Sequence, residues 1–293
     1  MENNTYTFIQ LNKVCKTLED KDLKDSLMKW SMKGTLGVQY YSFNRQFQLH
    51  QKQHFLDSFF TDPVVYGSLI YNQVPLGKPA SVTFQSIPCT ILSMDFFDRI
   101  LNPNNNIVRC DGKTITQCLE DDVEGFSIDD NLRSMILNRD SKFFNLYSDS
   151  DRRQFLWRIF THFCLGGEYC QHEFEVQAYL TAAKSLYKEL VSVERIGDSN
   201  ELVIRSVVMK VQTFDDHGRP LVPYKVDNLQ NFMYLVVDPF KRSVAVLSHS
   251  YAQFASVRRE ELDTDSGWSH NYHEKTTALS ATSNIELLSN YFL

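Results

Sequence analysis

Two histidines and two cysteines, His162, Cys164, Cys170 and His172, fall within eleven residues of this chain. Imidazole and thiolate are the ligands that zinc takes four at a time in a tetrahedron, so this cluster is the sharpest candidate for a metal centre. Its spacing, however, lacks the short Cys-x-x-Cys clip. Cys164 also shares an apolar helix face with Phe160 and Phe163, where a thiol ordinarily packs as a small hydrophobe. The expectation is a helix-ending turn with incidental ligands, no metal and no cofactor.

Other chemistry is poorly supported. Any of the eight histidines could meet a cysteine in the fold, but no local signature marks a nucleophile. The Gly-x-Ser-x-Gly elbow, the phosphate-cradling loop and the Gly-x-Gly-x-x-Gly fingerprint are all missing, and 11 glycines leave little material for such loops. Asp238-Pro239 reads as a turn, since Asp accepts local backbone hydrogen bonds and Pro fixes the next angle. His249, His270 and His273 are too scattered for a ligand set, and Trp30 reads as core. No catalytic residue is assigned.

The elements that must carry the cluster are clearer. Phe155, Leu156, Ile159, Phe160 and Phe163 follow the spacing of one buried helix face, with Ser148 or Ser150 as cap and Asp151 near the positive end of the dipole. Gly166-Gly167 permits the backbone angles that end a helix. A second helix, near Glu173 to Glu189, repeats the pattern with Val176, Tyr179, Leu180, Ala183 and Tyr187. Upstream, residues 5 to 11 read as a strand and Asp22 to Lys33 as a helix ended by Gly34. Leu36 to Tyr40 reads as a strand, and Phe55 to Phe60 as a helix stopped by Asp62-Pro63.

Ser81 to Thr90 is expected to be extended, and the acidic stretch 111 to 130 to lie at the surface. Two hairpins follow. Leu190 to Ile196 and Glu201 to Phe214 flank Gly197-Asp198-Ser199-Asn200, while Phe232 to Val237 and Ser243 to Ser248 flank the Asp238 to Arg242 turn. The fold class is therefore α+β: an antiparallel sheet formed largely by C-terminal hairpins, packed against the central helix pair and N-terminal strand and helix units.

Residues 1 to 255 read as one globular domain and 256 to 293 as a polar, mobile tail. The tail closes on a short amphipathic segment whose Leu288 and Phe292 are candidate partner-binding residues. A net charge of −6 argues against nucleic acid or an anionic membrane as main partner. No apolar run approaches the roughly 20 residues of a membrane span. Six scattered cysteines and the lack of a secretion signal fit a reducing, cytoplasmic setting.

Several segments, in order, resemble the cilia- and flagella-associated protein 300 family. They are Leu27-Met28-Lys29-Trp30-Ser31-Met32, Phe60-Thr61-Asp62-Pro63, and Pro88-Cys89-Thr90-Ile91-Leu92-Ser93-Met94. Cys164-Leu165-Gly166-Gly167 follows with Cys170-Gln171, then Tyr187-Lys188-Glu189-Leu190-Val191-Ser192-Val193 and Val236-Val237-Asp238-Pro239. The resemblance covers about residues 5 to 252 and implies a cytoplasmic factor for assembling outer and inner axonemal dynein arms and delivering them into cilia. It implies co-chaperone-type assembly factors of the kintoun class as partners, with axonemal dynein subunits and intraflagellar transport as further ones. It supplies no catalytic residues. The alternatives are a metal-binding or enzymatic protein centred on His162 to His172, and a stable structural component of the axoneme.

Overall fold

The run Phe232–Asp238 buries all seven of its residues. A strand apolar on both faces belongs inside a sheet covered on both sides. The computed structural model, which describes residues 5–196, 201–223 and 228–251, builds that arrangement. Its strands are β1 (Phe8–Leu11), β2 (Leu36–Phe43), β3 (Ser81–Ile87), β4 (Val207–Phe214), β5 (Pro220–Val222), β6 (Phe232–Asp238) and β7 (Ser243–His249). Every pairing is antiparallel, in the order β1-β2-β7-β6-β4. Beyond, β3 runs along β4 from Val208↔Ile87 to Phe214↔Ser81, and β5 joins only the end of β4. The class is α+β, as expected.

Alternation sorts the side chains between two cores. Met209, Val211, Leu235, Val237, Val244 and Val246 meet Phe55, Phe59 and Phe60 of helix α2 (Lys52–Thr61), which follows α1 (Lys21–Lys29). On the other face, Val208, Tyr234, Val236, Ala245 and Leu247 join α3 (Asn131–Leu137), α4 (Phe155–Leu165) and α5 (Val176–Leu190) in one cluster. Aromatic rings fill the α2 side edge to face, with Phe8 and Phe59 at 5.0 Å and Phe47 and Phe55 at 5.0 Å.

Four expectations need correction. Glu201 to Phe214 is not one strand. Val193–Ile196 and Glu201–Ile204 make their own two-stranded ribbon, and the chain breaks at Arg205-Ser206 before β4. The break is stabilised locally: Arg205 N–H donates to Ser192 O (2.9 Å) and Ser192 N–H to Ser206 Oγ (2.8 Å). The 111 to 130 stretch is only half surface. It forms a hairpin, Gln117–Val123 with Phe126–Asp130, turning at Glu124-Gly125, and its second strand buries Phe126, Ile128 and Asp130.

The helix predicted to end at Gly34 stops at Lys29, where Ser31 takes the left-handed backbone (φ 54°) and the end is closed by Met32 N–H to Leu27 O (2.8 Å) and Ser31 N–H to Met28 O (3.1 Å), with Trp30 fully buried. Ser148 caps a separate short helix, Asp149–Arg153, broken from α4 at Gln154.

Arg152 of that short helix clamps the fold locally. Its guanidinium donates to the carbonyls of Tyr147 (3.2 Å), Ile136 (3.2 Å), Met135 (2.9 Å) and Phe144 (2.5 Å), and lies 3.9 Å from the Phe144 ring centroid. A lysine ammonium cannot span this fork. Arg152→Lys is expected to cost about 2 kcal/mol, read from the shift in the urea midpoint at unchanged slope.

Candidate functional site

The end of α4 and the loop after it, residues 166–175, hold all four clustered candidate ligands, and the structure sends them in different directions. His162 faces the sheet. Its Nδ1 lies 2.7 Å from Gln230 Oε1, its Nε2 lies 2.9 Å from the Tyr234 hydroxyl, and its ring stacks on Phe232 at 3.8 Å. Gln230 fixes the tautomer by its own bonding. Its amide nitrogen donates to His162 O (2.7 Å) and Gly166 O (2.5 Å), so its oxygen is the acceptor and His162 Nδ1 carries the proton. Tyr234 then donates to Nε2. Burial drives the His162 pKa well below the usual value, so the imidazole is neutral.

Cys164 is fully buried and its thiol is pushed well up by that burial. Cys170 and His172 meet instead, Sγ to Nδ1 at 3.3 Å. Burial raises the Cys170 thiol to about 12 and lowers His172 to about 4, so the pair rests as thiol and neutral imidazole. Near them sits Arg133, 2% exposed, paired with Asp130 at 3.0 Å and also with Asp129. Among the described residues its Nε and Nη1 have no hydrogen-bond partner. Among the described residues, no three His, Cys, Asp or Glu side chains converge to hold a metal ion.

The loop is held by its neighbours. Gly167 N–H donates to Trp30 O (2.7 Å), Gln171 N–H to Lys29 O (2.7 Å), and Ile115 N–H to Phe174 O (2.8 Å). The Glu173 carboxylate takes the Trp30 indole N–H at 3.3 Å, and Glu173 N–H donates to the Tyr179 hydroxyl at 2.8 Å. Trp30 is core, as expected, against Tyr179 at 4.9 Å and Phe163 at 5.5 Å. From this pinned loop two aromatics point outward, Tyr169 at 78% exposure and Phe174 at 75%. Sequence reasoning passed over both, and also over Gln230 and Arg133. The only available signal was that neither aromatic fits the period of a flanking helix.

The remaining candidates are placed as follows. Asp238 is a turn residue, its Oδ1 accepting from Phe240 N–H (3.0 Å) and Lys241 N–H (2.9 Å). His249 is buried at the end of β7, Nδ1 2.6 Å from Gln230 O. His270, His273, Leu288 and Phe292 lie outside the described residues. Among the described residues, no helix is long and apolar enough to cross a membrane.

Fold and site together define an α+β domain in which a neutral histidine–glutamine network locks a helix pair to an antiparallel sheet, leaving an anchored aromatic loop outside. Residues 5–249 match the family described as Cilia- and flagella-associated protein 300. A relative of that name from Chlamydomonas reinhardtii is 33% identical over 245 residues, 81% of this chain and 94% of its own length. Another, from Paramecium tetraurelia, is 30% identical over 250 residues, 85% of this chain and 94% of its own. The chain belongs to the cilia- and flagella-associated protein 300 family, and its role is associated with cilia or flagella. No solved structure matches it.

Proposed function

We propose that the chain is a non-enzymatic cytoplasmic factor or adaptor that serves the assembly and ciliary delivery of outer and inner axonemal dynein arms. The reading takes co-chaperone-type assembly factors of the kintoun class as partners, together with axonemal dynein subunits and the transport machinery that carries them. The observation that carries it is the loop just described. Tyr169 and Phe174 are mostly exposed on a segment whose backbone is already fixed, so a partner that covers them orders little new structure. Large amphipathic rings of this type supply much of the energy in protein interfaces. The histidine and thiols that invited a chemical reading are taken up by packing and by one another.

The test is affinity purification from ciliating cells. Dynein heavy chains and co-chaperones are expected with the wild-type chain. The Tyr169→Ala/Phe174→Ala double variant is expected to recover them at least about tenfold less well at an unchanged melting temperature. Cells lacking the protein should keep cilia that are short of dynein arms. Full arms in such cells would refute the reading.

A further inference from the structure

A second site lies at the end of β2, away from the aromatic loop in sequence. Tyr6, Asn44, Arg45, Gln46, Gln48, Gln51 and Arg242 line a cavity of about 350 Å³. Its wall carries two guanidiniums, Arg45 and Arg242, four primary amides from the 44–51 segment and one phenol, with no carboxylate among the described lining residues. In a chain of net charge −6, a concave surface whose described lining carries two cations and no acid is a local departure from the whole.

The cavity is braced. The Tyr6 hydroxyl donates to Gln46 O at 3.1 Å, and Thr7 N–H to Asn44 Oδ1 at 3.1 Å. Arg242 donates through Nη1 to Asn44 O at 3.1 Å, which fixes its guanidinium at the cavity wall, and its carbonyl accepts from Phe43 N–H at 2.9 Å. Arg242 also keeps a left-handed backbone, φ 49°, in a turn position that Gly or Asn fills at less conformational cost. Turn geometry alone would favour either of those residues. The arginine's side chain is what distinguishes the position, and it lines the cavity.

The chemistry of the wall selects its ligand. Guanidinium forks match the two oxygens of a carboxylate or the several oxygens of a phosphoryl group. Primary amides each offer donors and an acceptor, the complement of a peptide backbone. The volume sits at the small end of ligand pockets, suited to an acidic side chain with its flanking backbone. We propose that this cavity binds an oxyanion, carboxylate or phosphoryl, presented on an acidic peptide segment of another protein, with Arg242 and Arg45 as its cationic contacts. This inference stands apart from the dynein-arm reading and survives its failure.

Fluorescence anisotropy on the full chain tests it with three labelled peptides of one length: alternating Glu-Gly, alternating phosphoserine-Gly and alternating Gln-Gly. At least one oxyanion peptide is expected to bind at least about tenfold more tightly than the Gln peptide, and to weaken as salt rises from about 0.05 to 0.3 M. Which peptide wins identifies the oxyanion. Arg242→Asn keeps a residue that tolerates the left-handed backbone, so its melting temperature should hold while affinity falls about tenfold. Should that variant fail to fold, Arg45→Gln gives the same readout. The proposal is overturned if neither oxyanion peptide binds or the Gln peptide binds equally well. It is also overturned if a folded variant keeps full affinity, or if inorganic phosphate alone binds as tightly as the peptides.

Discussion

Gly167→Ala is expected to lower the unfolding free energy by about 3 to 5 kcal/mol, one of the two largest effects of a single substitution anticipated in this domain. A Cβ at that position would lie 2.1 Å from Ser31 O and 2.9 Å from Ser31 C, both backbone atoms that cannot swing aside. The loop would have to lift off the α1–β2 turn, breaking Gly167 N–H to Trp30 O and straining Gln171 N–H to Lys29 O. At a few degrees per kcal/mol for a domain of this size, the melting temperature should fall by roughly 6 to 20 °C. Two other glycines supply the controls. Among the described residues Gly37 has nothing within 4 Å of an added Cβ, and it has no positive φ, so Gly37→Ala should be neutral or slightly stabilising. Gly34 has equal space but φ +84°, so Gly34→Ala should cost about 1 kcal/mol from backbone conformation alone. Equal melting temperatures for the Gly167 and Gly37 variants would show that the close approach is not real.

That close approach is not visible in the sequence, although the glycines are. Gly166-Gly167 reads as a helix stop, and Gly166 does end α4 with φ 64°. Gly167 has another reason to be glycine, a contact with residues more than a hundred positions earlier that no local pattern records. The apolar periodicity of α4 and α5, the turn at Asp238 and the burial of Trp30 were legible because each follows from spacing within a dozen residues.

The pairing of Val193–Ile196 with Glu201–Ile204 was legible as a hairpin, but the break before β4 was not, since Arg205-Ser206 carries no breaker residue and the interruption depends on Ser192. The α2 layer was half legible. Phe55, Phe59 and Phe60 announced a buried helix, but only the wholly buried β6 shows that this helix covers the second face of the same sheet. Polar partners were least legible. Gln230 looks like an ordinary loop residue until His162, Gly166 and His249 are brought around it.

Those partners make the domain acid-sensitive. His249 has its folded pKa lowered to about 4 and His162 well below the usual value, in both cases because burial excludes the imidazolium. An unfolded histidine titrates near 6.5, so between about pH 6.5 and 4 the unfolded chain binds more protons and stability falls as pH falls. Above 6.5 both states are neutral and the contribution is complete. For His249 alone the loss across that window is about 3 kcal/mol.

His249→Gln, which keeps an amide N–H to offer Gln230 O, should flatten the profile by about that amount. Gln230→Leu acts differently. It leaves His162 Nδ1–H and the Gly166 carbonyl without the buried amide that pairs them, and His162 O with only the Gly166 N–H, so it should cost about 3 to 5 kcal/mol at pH 7.5. The acid loss should persist in that variant, because the two imidazoles remain buried. Urea titrations of the three proteins at pH 7.5, 6 and 4.5 separate the effects. One variant changes the slope with pH and the other the height of the curve. A wild-type chain equally stable at pH 7.5 and 4.5 would mean that neither imidazole is sealed from water, and the network would then not be what locks α4 to the sheet.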